Sequence, residues 1–380
     1  VDPAGGRPVV RRPRTPWIDG LRAVALIGVV LINGAGYAHL PDTLYVVPPP
    51  VPADSAAAIG LQAALVALLQ GKAYPLLAFL FGFGLAMAWR ARRRAGEDPA
   101  GPARRRQWRL LALGAVHGAL LYSGDVLTAY ALVGMWLLTW MRLRARAVWR
   151  RLCIAAAVAA GVAALEAWAL ASLAGDPLAW GAVPEGYGWV RGVAQHLALS
   201  ASGYAVALAG LPLVVPQILA LMAAGLLAAR LGVLTRARWR PALRRLATWG
   251  LPIGLVLNMV IAWLVVRAGG TAGGVPPPAL AALLFAGPLL TAAFVARVAL
   301  RPPAWIGVLQ GVGRMSLSVY LGSSLAFAVL LGGAGLGLGA GATSATVAGI
   351  STGTCLLLMA LAHRVARYRR GGPLERWLAR

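Results

Sequence analysis

The chain has 380 residues, 59% of them hydrophobic and 12% charged, with a mean hydropathy of +0.73. A soluble domain of that size cannot cover so much apolar surface with so few charges, which excludes the soluble classes. The formal net charge of +25 would point to nucleic acid in a soluble protein, but here the arginines stand at the ends of apolar runs, where they face anionic headgroups, so no nucleic-acid partner is expected.

The basic blocks fall at 7–22, 90–109, 142–151, 230–245, 297–314 and 364–380, and only Lys72, Arg191 and Arg267 lie outside them. Between alternate blocks run apolar stretches long enough for a bilayer core, which needs about 20 helical residues. In chain order the predicted spans are 20–38, 73–90, 107–122, 125–142, 152–174, 210–230, 246–266, 279–299, 309–331 and 345–363. Lys/Arg-rich loops stay in the cytoplasm, so the blocks put both termini there. Asp42, Asp54, Asp125, Asp176 and Glu185 fall on the outer side.

Two further apolar stretches, 55–70 and 190–207, would flip every later block if either crossed alone, so both are predicted as helices on the outer face. The uncharged run from Met315 to His363 is too long for one helix, and its Gly-rich middle, Gly332 to Gly341, is predicted as an outer loop. The first apolar run follows Arg7, Arg11, Arg12 and Arg14 as a signal peptide would, but the many later spans favour an uncleaved first helix. The expected fold is therefore an all-α polytopic transmembrane bundle of about ten spans. It divides into a basic tail over 1–16, one membrane domain over 17–366 and a basic tail over 367–380.

Cys153 and Cys355 lie inside apolar runs without disulfide, zinc or redox spacing and read as small core residues. No pair of histidines has metal-ligand spacing, so no metal is expected, and His39 and His196 read as exposed outer-loop residues.

Polar groups inside helices are costly in hydrocarbon, which makes each a candidate for function. Arg22 and Asn33 lie on the first span, separated by about 16 Å of helix. Arg22 is either a snorkelling anchor or a ligand for substrate, and Asn33 either an interhelical hydrogen bond or a catalytic donor. His117 sits at a depth comparable to Asn33, and the hairpin Tyr122-Ser123-Gly124-Asp125 follows it. A neutral imidazole beside a carboxylate makes a general base, but a straight helix would leave His117 and Asp125 about 12 Å apart, so the chain must turn back for them to meet. Glu166 needs a partner, with His117, Asn33 and Lys72 as candidates. Lys72, the sole lysine, is an interfacial anchor or a substrate ligand.

The string Ile18-Asp19-Gly20-Leu21-Arg22-Ala23-Val24-Ala25-Leu26-Ile27-Gly28, running on to Asn33, resembles the opening of the YeiB-like bacterial membrane proteins (domain-of-unknown-function family 418). Phe79-Leu80-Phe81-Gly82-Phe83-Gly84 is similar to that family's second span, and Gly114-Ala115-Val116-His117-Gly118 with Gly124-Asp125-Val126-Leu127-Thr128-Ala129-Tyr130 resembles its most distinctive hairpin. Gly313-Arg314-Met315-Ser316-Leu317-Ser318-Val319-Tyr320-Leu321 and Gly372-Pro373-Leu374-Glu375-Arg376-Trp377 look like its closing signature. The family is in turn similar to a superfamily of transmembrane acyltransferases that includes the acyltransferase-three proteins and the lysosomal heparan glucosaminide acetyltransferase. Acyltransferase-three proteins carry an Arg, ten residues and a His on the first helix; here Arg22 has the spacing and Asn33 stands in the place of that His.

The resemblance implies a multi-pass enzyme of the bacterial plasma membrane that takes acyl-CoA, acetyl-CoA foremost, as donor. It would pass the acyl group to a hydroxyl or amine of a glycan, lipid or small metabolite. His117 with Asp125 would act as base, and Asn33 or Tyr320 would donate to the oxyanion. Arg22, Arg104–Arg106 and Arg314 would hold the phosphates, with Lys72 and Glu166 as further substrate ligands. Membrane lipids are the expected surroundings, and a homo-oligomer is compatible with this class. The alternative is a transporter or exporter without chemistry, for which Gly210-Leu211-Pro212 and Leu251-Pro252 would break helices near the midplane.

Overall fold

The computed structural model describes residues 16–38, 55–173, 186–267, 277–368 and 371–379, and their regular structure is helical throughout. Fifteen α-helices follow one another: α1 Pro16–Ala38, α2 Ala56–Leu68, α3 Ala73–Arg94, α4 Ala100–Leu120, α5 Leu127–Thr139, α6 Ala145–Leu173, α7 Val193–Ala209, α8 Leu211–Leu231, α9 Arg240–Arg267, α10 Pro277–Leu300, α11 Ala304–Val308, α12 Gln310–Gly313, α13 Ser316–Leu330, α14 Ser344–Tyr368 and α15 Pro373–Ala379. Asp42, Asp54, Asp176, Glu185 and His39 lie outside the described residues.

Among the described residues seven stretches are long and apolar enough to cross a membrane: α1, Ala56–Arg94, Ala145–Ala169, α8, Ala237–Arg267, Ala281–Leu300 and α14. This is a multi-pass membrane protein. The remaining predicted spans fall on α4, α5 and α13. Of these, α5 and α13 are apolar but short, and α4 opens with Arg104, Arg105 and Arg106. The two extra apolar stretches become the helices α2 and α7, and the Gly-rich segment near 332–341 forms the turn between α13 and α14.

The bundle is organised around α1, which packs against α3, α12, α13 and α14. Leu21, Val29, Val30 and Tyr37 of α1 are fully buried. Lipid supplies no hydrophobic force between helices, so close packing of small residues holds such a bundle together. The α3–α8 pair shows this: a Cβ on Gly82 would run into the Met222 carbonyl, and one on Gly225 into that of Phe79. The two backbones touch where only glycine fits.

Peripheral helices α6 and α9 turn Trp149, Trp168, Trp249 and Trp263 outward together with Val256, Met259 and Val260. An exposed apolar surface of this extent is what hydrocarbon solvates. Cys153 belongs to it: the residue is exposed rather than in the core, because α6 is peripheral, whereas Cys355 is buried. Pro252 does not break a helix either, since α9 runs through it, and the only break near Pro212 is the α7–α8 junction at Gly210.

The end of the chain is docked. Glu375 of α15 accepts from the backbone N–H groups of Leu317 and Ser318 at 2.8 and 2.9 Å and from the Ser318 hydroxyl at 2.6 Å. A carboxylate thus caps the amino end of α13, where the helix dipole favours negative charge. Arg109 of α4 completes the clasp, donating to the Trp377 carbonyl at 2.9 Å with its guanidinium over the indole.

Candidate active site

Helix α4 ends when the N–H groups of Leu121 and Tyr122 both close on the His117 carbonyl, at 2.9 and 3.0 Å. The chain then turns back through Ser123 and Gly124, and Asp125 caps α5 by accepting from the Thr128 N–H through Oδ2 at 2.8 Å. Its other oxygen, Oδ1, lies 2.8 Å from His117 Nδ1. The return that the sequence required therefore exists, and one carboxylate serves both as helix cap and as partner of the imidazole. A glycine makes room for it: a Cβ on Gly114 would lie 2.6 Å from the Thr128 nitrogen and 2.8 Å from Asp125 Oδ2.

The pair is dry, with His117 1% and Asp125 4% exposed. A carboxylate oxygen can only accept, so in the neutral ring Nδ1 carries the proton and Nε2 is the acceptor. Nε2 faces the Ser324 hydroxyl of α13 at 2.9 Å, and Ser324 is 1% exposed. Tyr320, one turn before Ser324, places its ring 5.1 Å from the imidazole and accepts a long hydrogen bond, 3.5 Å, from the Val126 N–H.

An aromatic layer closes this end of the bundle. Tyr37 stacks on Tyr122 and Tyr187 at centroid distances of 5.3 and 4.5 Å, and its hydroxyl donates to the Leu121 carbonyl at 2.8 Å. The Tyr187 hydroxyl accepts from the Ser123 N–H at 3.0 Å, pinning the turn. Helix α7 lies over α4, with the Tyr204 hydroxyl 2.8 Å from Thr128 Oγ1. His196 also belongs to this layer: it is 5% exposed and its Nε2 reaches the Leu120 carbonyl at 3.2 Å, so it is a packed residue and not an exposed loop histidine.

The amino end of α1 carries the arginines. Arg22 pairs with Asp19 at 2.7 Å, and Arg314 approaches the other Asp19 oxygen at 3.8 Å. Arg106 rests on the Phe81 ring at 5.1 Å and is near enough to Arg22 for the two charges to repel. Next to it Gln107 is fully buried, and neither its amide nitrogen nor its oxygen has a hydrogen-bond partner among the described residues.

The other expected site residues go elsewhere. Asn33 does not reach His117; its Oδ1 accepts from the Tyr74 hydroxyl at 2.7 Å, and its buried Nδ2 has no partner among the described residues. Lys72 is neither an interfacial anchor nor a member of this site. It is buried, and its ammonium donates to the Val66 carbonyl at 2.6 Å, closing the end of α2. Glu166 pairs with none of His117, Asn33 and Lys72 among the described residues, because α6 lies at the periphery. The half-buried carboxylate instead lines a cavity of about 180 Å³ with Tyr74, Tyr130, Gln217 and Pro288.

Residues 228–380, which carry Arg314, Tyr320 and Ser324, match the family described as "Protein of unknown function (DUF418)". Over this segment the chain is similar to the DUF418 family. It is also similar to two proteins described as uncharacterized, YxaH of Bacillus subtilis (strain 168) and YeiB of Escherichia coli (strain K12). Identity to YxaH is 31% over 140 residues, 35% of this chain and 34% of the relative. Identity to YeiB is 34% over 122 residues, 32% of this chain and 30% of the relative. The matched stretch thus spans about a third of each of these relatives. The matched C-terminal segment supplies the serine and tyrosine of the site, and the α4–α5 hairpin supplies the histidine and aspartate.

Proposed function

We propose that this protein is a transmembrane acyltransferase of the bacterial plasma membrane, moving an acyl group, acetyl foremost, from cytoplasmic acyl-CoA to a hydroxyl or amine of a glycan, lipid or small metabolite on the far side. The supporting observation is the dry His117–Asp125 pair, whose remaining ring nitrogen already holds a hydroxyl at 2.9 Å. A base so placed can take the proton of an attacking hydroxyl, a contribution of ~10²–10⁴ in rate.

In this reading the chain crosses ten times with both ends in the cytoplasm, which puts Arg22, Arg106 and Arg314 at the cytoplasmic mouth, where guanidinium groups would grip the phosphates of the donor. Along α4, Gln107, Leu110, Gly114 and His117 are buried on one face. Arg106 and His117 are separated by about 16 Å of helix, so an extended thioester arm would run along that face. The unbonded Gln107 offers it a polar partner. Tyr320 beside the imidazole would donate to the developing oxyanion. Coenzyme A should therefore raise the melting temperature of the purified protein, since a ligand bound only by the folded state stabilises it. Arg314→Ala should weaken that binding about tenfold or more, the scale of a lost charged hydrogen bond; an unchanged affinity would remove Arg314 from the donor site.

A carrier without chemistry is the second reading, and the Glu166 cavity between α3, α6, α8 and α10 favours it. A carrier has no reason to recognise the phosphates of coenzyme A, so the same melting experiment separates the two.

A further inference from the structure

We propose that Ser324 is a nucleophile that holds the acyl group as an oxygen ester between two half-reactions; this rests on the acyltransferase reading above. A buried serine in a helix ordinarily returns its proton to the carbonyl one turn back. Here that carbonyl, Tyr320 O, is taken by the neighbouring Ser323, which donates to it at 2.7 Å. Ser324 is left 3.5 Å from the same oxygen and 2.9 Å from His117 Nε2, so its hydroxyl donates to the imidazole. Asp125 fixes Nδ1–H, the capping bond from Thr128 fixes Asp125, and the three side chains come from α4, the turn and α13. Nucleophile, base and orienting carboxylate are thus within hydrogen-bond reach in sequence, the arrangement that activates a serine.

In the first half-reaction Ser324 Oγ attacks the thioester carbonyl and its proton passes to His117 Nε2. The tetrahedral oxyanion collapses with cleavage of the carbon–sulfur bond, and the thiolate takes the proton from Nε2 and leaves as coenzyme A. In the second, the acceptor hydroxyl or amine attacks the ester carbonyl and gives its proton to Nε2. The carbon–Oγ bond breaks, and Ser324 recovers the proton. A stored ester allows donor and acceptor to be present at different times, one from each end of the bundle. It also accounts for a hydroxyl held on the base before any substrate arrives.

The test is to mix the full chain in nanodiscs with acetyl-CoA and no acceptor, quench in acid, and map modified peptides by mass spectrometry while measuring coenzyme A release. The expected result is a burst of about one coenzyme A per protein and an acetyl ester on Ser324. In Ser324→Cys the modification should become a thioester at the same position. In His117→Ala both burst and ester should vanish. Steady coenzyme A release with an acceptor but no modified Ser324 would overturn the covalent step while leaving acyl transfer standing, with the acceptor attacking directly. Absence of coenzyme A release under all conditions would overturn both.

Discussion

At the scale of single residues, the decisive side chain is Asp125, because its two oxygens have separate duties. Asn caps a helix about as well as Asp, so Asp125→Asn should keep the turn and lose only the tautomer control of His117. The expected outcome is a fall of about 10⁴-fold in transfer, the scale seen when the orienting carboxylate of a serine–histidine pair is made an amide. The melting temperature should stay nearly unchanged, and a coenzyme A release assay beside a thermal melt checks both. Gly114→Ala works the other way. Its methyl would push on the Thr128 nitrogen and Asp125 Oδ2, and overpacking of this kind costs about 1–3 kcal/mol. A melt that does not move would show that the hairpin gives way easily. His117 and Asp125 were legible in the sequence as a candidate pair, since a histidine in an apolar run followed by a turn and an acid is rare. Ser324 was not, because a hydroxyl in an apolar helix is ordinary until its neighbour is seen to have taken the usual carbonyl. Lys72 and Glu166 misled for a related reason. Charge in a span signals a need for a partner, but only packing tells that the partner of Lys72 is the Val66 carbonyl.

At the scale of elements, α13 joins the two ends of the site: its amino end is capped by Glu375 and its middle bears Tyr320 and Ser324. Glu375→Ala removes three hydrogen bonds to a charged acceptor, a class whose net worth is about 1.5–3 kcal/mol each and less where water can take the acceptor's place. Faster hydrogen exchange at the start of α13 and faster proteolysis after α14 are expected; equal protection in both forms would show that the tail only rests on the bundle. Periodicity and hydropathy located the helices well, down to the outer-face candidates that became α2 and α7. They could not show that α7 reaches Thr128 at the start of α5 through Tyr204, or that His196 is tucked into a tyrosine layer, because such contacts join residues far apart in the chain.

At the scale of the whole molecule, the arginines and the tyrosine layer mark opposite ends of α1: Arg22 pairs with Asp19 at one end, and Tyr37 meets Tyr122 and Tyr187 at the other. In the topology proposed above, the alternation of basic blocks would turn the arginine end to the cytoplasm. Ala57 and Ala198 are exposed positions of α2 and α7. As single cysteines, with Cys153 and Cys355 replaced by serine, both should react with an impermeant thiol reagent from outside intact cells; reaction from the cytoplasmic side alone would reverse the orientation.

In the proposed mechanism His117 activates a hydroxyl for attack on an acyl-CoA. The most direct test of this step is turnover of acetyl-CoA by the purified protein in nanodiscs, supplied with a panel of sugar and lipid acceptors, for wild type beside His117→Ala. Free coenzyme A released by wild type and lost in a folded His117→Ala is the expected result. Equal release by both, or stable acetyl-CoA with wild type across the panel, would contradict it.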